Sequence, residues 1–477
     1  MKHIVFISLF LIACSSPLAR SAAAETLTFG RFGSVTLYHQ VSHPSHVVLF
    51  VSGDGGWNQG VVDMATALAG WDALVVGIDI THYLRALQSG TDACSYPAAD
   101  FEALSQFVQQ HLAFPHYIPP VLVGYSSGAT LVYAILVQAP PGTFRGGLSL
   151  GFCPDLSLTK PLCRGHGLAA QRGPHGKGYS FLPSTTLDTP WVALQGMVDQ
   201  VCDPTATDAY VKQVRGAKLV SLPKVGHGFS VPRNWLPQFQ KAFMDLVQSE
   251  EISTNTRTPS HASLTDLPLV EVPPREERTT TMSVILSGDG GWASIDRDLG
   301  NALAADGIAV VGVNSLQYFW TRRTPEGAAT GLERILRHYF AAWKKDKAVL
   351  IGYSLGADVL PFMVNRLPQD LRARVPVVAL LNPARTVDFE FHVIDWLVSA
   401  SHPGSYALLP ELQRLQGPKL LCFYGADETD SLCKDLPPQH GIAIRLQGGH
   451  HFNGKYEVLA SRIMREAQVA TDAARTE

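Results

Sequence analysis

Apolar and polar positions along the chain follow two different periodicities. Short runs that are apolar at nearly every position recur between polar turns, and four of them are HVVLFVSG (46–53), ALVVGID (73–79), PVLVGYS (120–126) and TPWVALQG (189–196). Such runs are typical of parallel strands buried on both faces. Segments with a period near 3.6, such as 101–112 and 330–343, predict helices between them. Alternating strands and helices predict doubly wound α/β sheets, which bind ligands at the carboxyl ends of their strands.

The pattern occurs twice because the chain contains an internal duplication. The hexapeptide SGDGGW stands at 52–57 and again at 287–292. Three further matches follow in the same order: VLVGYSSGA (121–129) with VLIGYSLGA (349–357), PWVALQG (190–196) with PKLLCFYG (418–425), and LPKVGHGF (222–229) with LQGGHHF (446–452). We therefore expect two tandem domains, 25–248 and 264–477. A linker rich in Ser, Thr and Pro joins them over 249–263, and LPLVEVP (267–273) is expected to supply a short first strand to the second domain.

The N-terminus predicts export. Lys2 precedes an apolar run over 4–13 that is too short to span a bilayer, so residues 1–24 are expected to be a signal peptide. Two processing routes stay open: cleavage after the alanines at 22–24, or a lipobox that ends at Cys14 and would leave that cysteine lipid-modified. The expected location is the periplasm, with the mature protein either soluble or tethered by a lipid.

Composition narrows the function classes. The net charge is -3 in 477 residues, without a long basic run, which excludes a general nucleic-acid binder. In an oxidising compartment, Cys153 with Cys163 and Cys422 with Cys433 could close small disulfide loops, although spacing does not determine pairing. No cysteine or histidine spacing indicates a zinc site, so we expect neither a metal nor a cofactor.

The two GYSxG segments fit the G-x-S-x-G nucleophile elbow of α/β hydrolases, since each lies between an apolar strand and a predicted helix. Ser126 and Ser354 are the candidate nucleophiles. His227 and His450, the latter favoured over the neighbouring His451 by the alignment of the copies, are the candidate bases. The predicted fold is therefore two tandem α/β-hydrolase-like domains, each a mostly parallel sheet flanked by helices.

An acid should follow the strand before each histidine. In the first copy Asp199 lies three residues after the strand, the usual spacing in these enzymes. In the second copy Asp427, Glu428 and Asp430 compete, and spacing alone does not choose among them. Asp430 is favoured because Cys433 could pin its loop.

The repeated SGDGGW turn occupies the position at which α/β hydrolases carry an oxyanion-hole loop. The expected N–H donors of the oxyanion holes come from the turn and from the residue after the serine, namely Asp54, Gly55 and Ser127 in the first copy and Asp289, Gly290 and Leu355 in the second. A phosphate-binding P-loop is excluded because no Gly-Lys-Ser/Thr follows. The aspartate of the turn could fix the loop or face a cationic substrate group.

SGDGGW, GYSLGADVLPFMVNRLP (352–368), DFEFHV (388–393) and GGHHF (448–452) together resemble the AcvB/VirJ family of periplasmic, virulence-associated bacterial proteins, most densely over 264–467. The resemblance implies hydrolysis of lysyl-phosphatidylglycerol, a membrane phospholipid, at the periplasmic face of the inner membrane, with Ser354 as the required serine. A lysyl group carries two ammonium charges, so carboxylates should line its pocket. The candidates are Asp289, Asp358, Asp388 and Glu390.

Two other functions stay open. One is a general lipase or acyl esterase. The other is a non-catalytic periplasmic adaptor that assists export or type IV secretion through contacts with secretion-system proteins. The sequence does not determine the oligomeric state or whether one or both serines are active. The main hypothesis is an exported serine esterase with a Ser-Asp-His triad.

Overall fold

The computed structural model describes residues 25–90, 92–173, 176–254, 264–274, 276–292, 294–391 and 405–476. The predicted signal peptide, Cys14 and most of the predicted linker lie outside these residues. Within the described residues, no helix is both long enough and apolar enough to cross a bilayer.

The first half of the chain folds around one large sheet. The strands of this half are β1 Glu25–Phe29, β2 Gly33–Tyr38, β3 His46–Val51, β4 Ala73–Ile78, β5 Val121–Tyr125, β6 Gly146–Leu150, β7 Asp155–Leu156, β8 Ala170–Arg172, β9 Tyr179–Phe181, β10 Trp191–Gly196 and β11 Lys218–Leu222. Of these, β7, β8 and β9 form a separate small sheet. The helices of this half are α1 Gln59–Ala69, α2 Ile80–Gln88, α3 Pro97–His111, α4 Ser127–Gln138, α5 Pro204–Val211 and α6 Leu236–Thr254, with short 3-10 helices at Gly30–Phe32 and Pro232–Asn234. The eight-stranded sheet has the order β1-β2-β4-β3-β5-β6-β10-β11. All its pairs from β4 to β11 are parallel, whereas β1 and β2 pair antiparallel at one edge.

The second half repeats this plan. Its strands are β12 Leu269–Val272, β13 Thr281–Leu286, β14 Ala309–Val313, β15 Lys347–Tyr353, β16 Val377–Leu381, β17 Thr386–Val387, β18 Tyr406–Ala407, β19 Lys419–Gly425 and β20 Ile442–Leu446. Its helices are α7 Ser294–Ala305, α8 Ser315–Tyr318, α9 Pro325–Ala342, α10 Leu355–Asn365, α11 Gln369–Arg372, α12 Leu408–Gln413 and α13 Tyr456–Thr476, with 3-10 helices at Leu432–Asp435 and Phe452–Gly454. The seven-stranded sheet has the order β12-β14-β13-β15-β16-β19-β20.

The predicted fold class is confirmed: each half is a mostly parallel sheet flanked by helices. β12, expected from LPLVEVP, pairs antiparallel with β14 at the sheet edge. The helix starts differ from the apolar pattern, because α3 and α9 begin several residues earlier, each with a proline in its first turn. Proline is favoured there because its missing N–H has no intrahelical partner in any case.

Apolar side chains are buried on both faces of each sheet. In β3, Val47 and Leu49 enter the core on one face, whereas Val48 and Phe50 enter the core on the other. The second sheet has the same two-sided burial. This explains why the central strands are apolar at nearly every position.

The two halves pack directly against each other. Trp320 and Phe391 of the second half are 5% and 2% exposed and belong to the apolar core of the first half. The Trp320 Nε1–H donates to the Phe114 carbonyl at 2.8 Å, and the ring lies 5.3 Å from that of Tyr117. The side-chain amide of Gln110, on α3, donates to the Phe391 carbonyl at 2.7 Å. These contacts fix α3 against the second half.

Three disulfides connect the six described cysteines: Cys94–Cys163, Cys153–Cys202 and Cys422–Cys433. The loop between Cys422 and Cys433 is the one that spacing suggested. The pairing of Cys153 with Cys163 is wrong, because Cys153 bonds to Cys202 in the loop after β10. That bond ties together the loops that follow β6 and β10.

Candidate active sites

Both candidate nucleophiles lie on sharp turns between a strand and a helix. Ser126 has φ 54° and ψ -122°, and Ser354 has φ 50° and ψ -121°. A positive φ at a residue with a side chain is uncommon and marks a turn held by its surroundings. The glycine two residues later is required by close packing, since a Cβ on Gly128 would lie 2.4 Å from the Ser52 carbonyl oxygen. Gly356 has the same constraint in the second copy.

In the first copy three side chains form a continuous hydrogen-bonded chain. Ser126 Oγ lies 2.9 Å from His227 Nε2, and His227 Nδ1 lies 2.9 Å from Asp199 Oδ2. The His227 and Asp199 side chains are 17% and 0% exposed. This is the order of groups in which a serine hydroxyl can lose its proton to an imidazole that a carboxylate orients.

The Asp199 carboxylate is held by its own loop. Its Oδ1 accepts hydrogen bonds from the N–H groups of Val201 and Cys202 at 2.8 and 2.9 Å, and Gln195 donates to Oδ2 at 3.1 Å. Burial alone would raise the pKa of Asp199, but the Cys202 N–H, His227 and the Val201 N–H outweigh it and hold the pKa below its usual value. Asp199 therefore stays ionised beside His227.

Asp199 and His227, together with Cys202, are close enough to suggest a metal site. Ligand atoms of Asp199, Cys202 and His227 lie within 4.8 Å of one another. However, the Cys202 sulfur is already bonded to Cys153, so it is not a thiolate. The donor set does not fit a metal ion.

The second copy is assembled differently. His450 Nδ1 lies 3.2 Å from Glu428 Oε1, so the acid that contacts the histidine is Glu428. Among the described residues, Ser354 Oγ has no hydrogen bond to His450, and the His450 side chain is 42% exposed. Asn382 donates from its side chain to the His450 carbonyl at 2.8 Å, which anchors the backbone of the loop.

The preferred acid of the second copy, Asp430, does not contact His450. Its carboxylate accepts a 2.8 Å hydrogen bond from Arg385 Nε and its side chain is 79% exposed. Arg385 also pairs with Asp435. The Cys422–Cys433 disulfide does pin this loop, but it leaves Asp430 on the surface beside a cation. Asp427 is likewise exposed.

The SGDGGW turn lies against the serine in both copies. A Cβ on Gly53 would lie 3.1 Å from Ser126 Cβ, and one on Gly288 would lie 3.5 Å from Ser354 Cβ. The tryptophan anchors the turn on the next strand of the sheet: a Cβ on Gly77 would lie 2.2 Å from the Trp57 ring. The second copy has the same arrangement, with Trp292 over Gly312.

The predicted oxyanion donors differ between the copies. In the first copy the N–H groups of Asp54, Gly55 and Ser127 donate to no acceptor among the described residues. The N–H of Leu355, the residue after the second serine, likewise donates to no acceptor among the described residues, because Leu355 begins α10. The Gly290 N–H, in contrast, donates to Asp289 Oδ1 at 3.1 Å and is not presented to Ser354.

A cavity of about 780 Å³ lies beside Ser354, between the two halves of the chain. Of the four acids expected to bind a cationic substrate there, Asp289 lines the cavity and the other three do not. Asp358 is buried and accepts a 2.6 Å hydrogen bond from the Ala384 N–H. Asp388 accepts a hydrogen bond from Ser405, and Glu390 lies 3.9 Å from Arg322.

Two acids that sequence reasoning missed line the same cavity, Glu102 on α3 and Asp296 on α7. Asp296 follows the repeated turn by only four residues, so an acid close behind SGDGGW was a usable signal. Glu102 belongs to the other half of the chain. No local pattern connects it to Ser354.

The sequence profile described as "Bacterial virulence protein (VirJ)" matches residues 45–145 and 280–471, which is more than half of the chain. The protein belongs to the VirJ family. Each matched segment contains one SGDGGW turn and one serine elbow, so the family profile covers parts of both copies. No curated protein sequence matches the chain.

Solved structures that resemble this VirJ-family chain each match about half of it. The esterase domain of a Rhodothermus marinus protein has 19% identity and a TM-score of 0.32, and the match covers 46% of this chain and 97% of that one. Est1E from Butyrivibrio proteoclasticus has 12% identity and a TM-score of 0.32, covering 47% and 98%. A dienelactone hydrolase from Anabaena variabilis has 17% identity and a TM-score of 0.32, covering 46% and 94%.

Proposed function

We propose that this protein is an exported serine esterase that hydrolyses the aminoacyl ester of lysyl-phosphatidylglycerol. The observation that carries the esterase chemistry is the Ser126–His227–Asp199 hydrogen-bonded chain, with 2.9 Å at each step. Ser354 has the same elbow geometry, with His450 and Glu428 beside it. The lysyl-phospholipid substrate is proposed from the resemblance to AcvB/VirJ proteins and is assigned to the Ser354 cavity.

In the proposed acylation step, Ser126 Oγ forms a bond to the ester carbonyl carbon while His227 Nε2 accepts the hydroxyl proton. Asp199 holds the ring and stabilises the imidazolium. The carbonyl oxygen becomes an oxyanion beside the Ser127 N–H and the turn N–H groups of Asp54 and Gly55. One such donor contributes about 3 kcal/mol to transition-state stabilisation.

The tetrahedral intermediate then collapses, the ester C–O bond breaks, and the alcohol leaves with the proton held by His227. Water, deprotonated by the same histidine, attacks the acyl-enzyme and releases the acid and the free serine. Ser354 would follow the same steps with His450. The Oγ of Ser354 and the imidazole of His450 have to come within hydrogen-bond distance when substrate binds. Catalytic hydrogen bonds often tighten in this way only in the substrate complex.

The decisive experiment compares wild-type protein with Ser126→Ala, Ser354→Ala and the double variant. Hydrolysis is measured on purified lysyl-phosphatidylglycerol in vesicles, and lysyl-phosphatidylglycerol is measured in cells that carry each variant. We expect Ser354→Ala to abolish lysine release and to make the lipid accumulate. Unchanged lysine release by the double variant would refute the proposal. A protein that releases no lysine in any form would favour the adaptor function.

A second candidate function is a general acyl esterase at Ser126, and exposed aliphatic side chains near Asp199 and His227 in the sequence favour it. Met197, Val198 and Val201, on the loop that carries Asp199, are 44%, 57% and 68% exposed. Val231, four residues after His227, is 42% exposed. Aliphatic side chains exposed on the loops that carry the histidine and the acid suit an apolar acyl chain better than a lysyl group.

Matched esters separate the two functions. Hydrolysis of p-nitrophenyl acetate, butyrate and octanoate is measured with Ser354→Ala protein, in which only Ser126 can react. An acyl esterase at Ser126 should prefer the longer chains, and Val198→Asp should reduce that preference. A fluorophosphonate probe on each single variant reports independently which serine is activated.

A further inference from the structure

The wall of the Ser354 cavity is built by both halves of the chain. Ser354, Asp289 and His450 lie on the side of the second half. The opposite side includes Ala98, Ala99 and Glu102 from α3 of the first half. The first half therefore carries its own candidate site and also closes the site of the second.

The position of α3 is fixed from both sides. Phe101 and Leu104 are 0% exposed and hold the helix to its own sheet. At its carboxyl end, Gln110 donates to the Phe391 carbonyl of the second half at 2.7 Å. A side chain on this helix is therefore held at the cavity without depending on a mobile loop.

Three carboxylates, Glu102, Asp289 and Asp296, line this cavity. Glu102 is half-buried and has neither a hydrogen bond nor a salt bridge to another described residue. Burial and the charge of Asp289 raise the pKa of Glu102 to about 8. A cation bound beside these acids would favour their ionised forms.

Asp296 provides an independent observation. It is 2% exposed, and its Oδ1 has no hydrogen-bond partner among the described residues, although Oδ2 accepts from the Gly288 N–H at 3.4 Å. Burial raises the pKa of Asp296 well above its usual value. A buried carboxyl oxygen without a partner is costly, so a hydrogen-bond donor from a ligand is expected at this wall.

Glu102 and the Oδ1 atom of Asp296 have no cationic partner among the described residues. Among the described residues that line the cavity there is no lysine or arginine. Burial and the neighbouring His450 lower the pKa of His451, which keeps that imidazole neutral. The group that fits is a substrate ammonium, which has up to three N–H donors and a positive charge.

We propose that Glu102, supplied by the first half of the chain, is a specificity-determining residue of the Ser354 cavity and acts with Asp289 to bind the side-chain ammonium of the substrate. This proposal rests on the proposed esterase function of Ser354 and adds to it the group that selects lysyl over neutral aminoacyl esters. The second copy alone would lack half of this subsite.

The test uses full-length Ser126→Ala protein, so that only Ser354 reacts, and two p-nitrophenyl esters, of lysine and of norleucine. The esters share the α-ammonium and differ at the side-chain terminus. Glu102→Gln should lower the lysine-to-norleucine ratio of kcat/KM at least about tenfold, mainly through KM, since the charge pair is lost but the serine is not. Glu276→Gln makes the same change of charge at a side chain that is 76% exposed and should leave the ratio unchanged.

A binding measurement separates failure of this inference from failure of the esterase function. Calorimetry of lysinamide and norleucinamide with Ser354→Ala protein needs no hydrolysis. If Glu102→Gln weakens only lysinamide binding, the cation subsite stands even where no ester is cleaved. If lysinamide and norleucinamide bind equally to the Ser354→Ala protein, or if Glu102→Gln changes neither the kinetic ratio nor the binding, the inference is overturned. Lysine-ester hydrolysis that survives the double serine variant would instead refute the esterase function.

Discussion

Replacing Glu102 with glutamine should stabilise the protein in alkaline solution. The unfolded chain releases the Glu102 proton near its ordinary pKa of 4.5, but the folded protein retains it up to a pKa of about 8. Between these values the unfolded state binds fewer protons than the folded state, so the free energy of unfolding falls as the pH rises. Glutamine has no such proton and removes this loss.

The size of the effect follows from that pKa difference. A change of one in pKa corresponds to about 1.4 kcal/mol, so the full difference sets an upper limit of about 5 kcal/mol. Because Glu102 is only half-buried, solvent screens part of this, and we expect about 1–3 kcal/mol at pH 9. Asp289, Tyr96 and Tyr117 interact electrostatically with Glu102. Burial raises the pKa of Tyr96 to about 12 and that of Tyr117 further, so both tyrosines stay neutral over this range.

The assay is calorimetric Tm at pH 4.5 and pH 9 for wild-type, Glu102→Gln and Glu276→Gln proteins. For a domain of about 230 residues, 1 kcal/mol corresponds to about 2–4 °C in Tm. We expect the Glu102→Gln protein to melt at the wild-type temperature at pH 4.5 and several degrees higher at pH 9. An equal shift at both pH values, or no gain at pH 9, would refute the reasoning. A stability gain combined with weaker lysinamide binding is the exchange expected of a functional carboxylate.

Three further predictions concern the two serine sites and their contact. Asp199→Asn should lower kcat at Ser126 about 10,000-fold, measured with acetyl p-nitrophenyl ester on Ser354→Ala protein, because the neutral amide no longer stabilises the imidazolium. Glu428→Gln should impair Ser354 strongly and Asp430→Asn hardly at all, measured as lysine release. Equal effects of the two would contradict the Glu428 contact. Trp320→Ala should cost about 3–5 kcal/mol of packing between the halves and raise KM for the lysine ester, without changing fluorophosphonate labelling of Ser126.

The elements that could be predicted from sequence are those that local constraints determine. The strands were recognisable because both of their faces are buried, and the serine elbow because Gly128 has no room for a side chain beside Ser52. The contact between Trp57 and Gly77 was not predicted, although Trp57 belongs to the repeated turn and Gly77 to a predicted strand. Recognising it requires knowing that β3 and β4 are adjacent.

The acids of the second site were harder to predict, because the role of a carboxylate depends on contacts with residues distant in sequence. Asp430 was excluded from His450 by Arg385, which lies 45 residues earlier and holds it on the surface. The place of Glu102 in the cavity wall could not be predicted, because the cavity forms only when the two halves pack through Trp320 and Phe391. No spacing rule within one copy contains this information.

The fourth residue after the serine differs between the copies: it is Thr130 in the first and Asp358 in the second. Thr130 Oγ1 donates to the Cys153 carbonyl at 2.6 Å, and Asp358 Oδ1 accepts from the Ala384 N–H at 2.6 Å. Both side chains therefore fasten the helix after the serine to the loop after the neighbouring strand, with opposite hydrogen-bond polarity. Because this position has a structural partner in each copy, a difference in specificity has to come from the walls of the sites. The serine elbow is shared, whereas aliphatic side chains are exposed on the loops that carry Asp199 and His227 and carboxylates line the Ser354 cavity. Under the proposed functions, the two copies share one reaction and differ in substrate because the residues proposed to select substrate lie outside the repeated motifs.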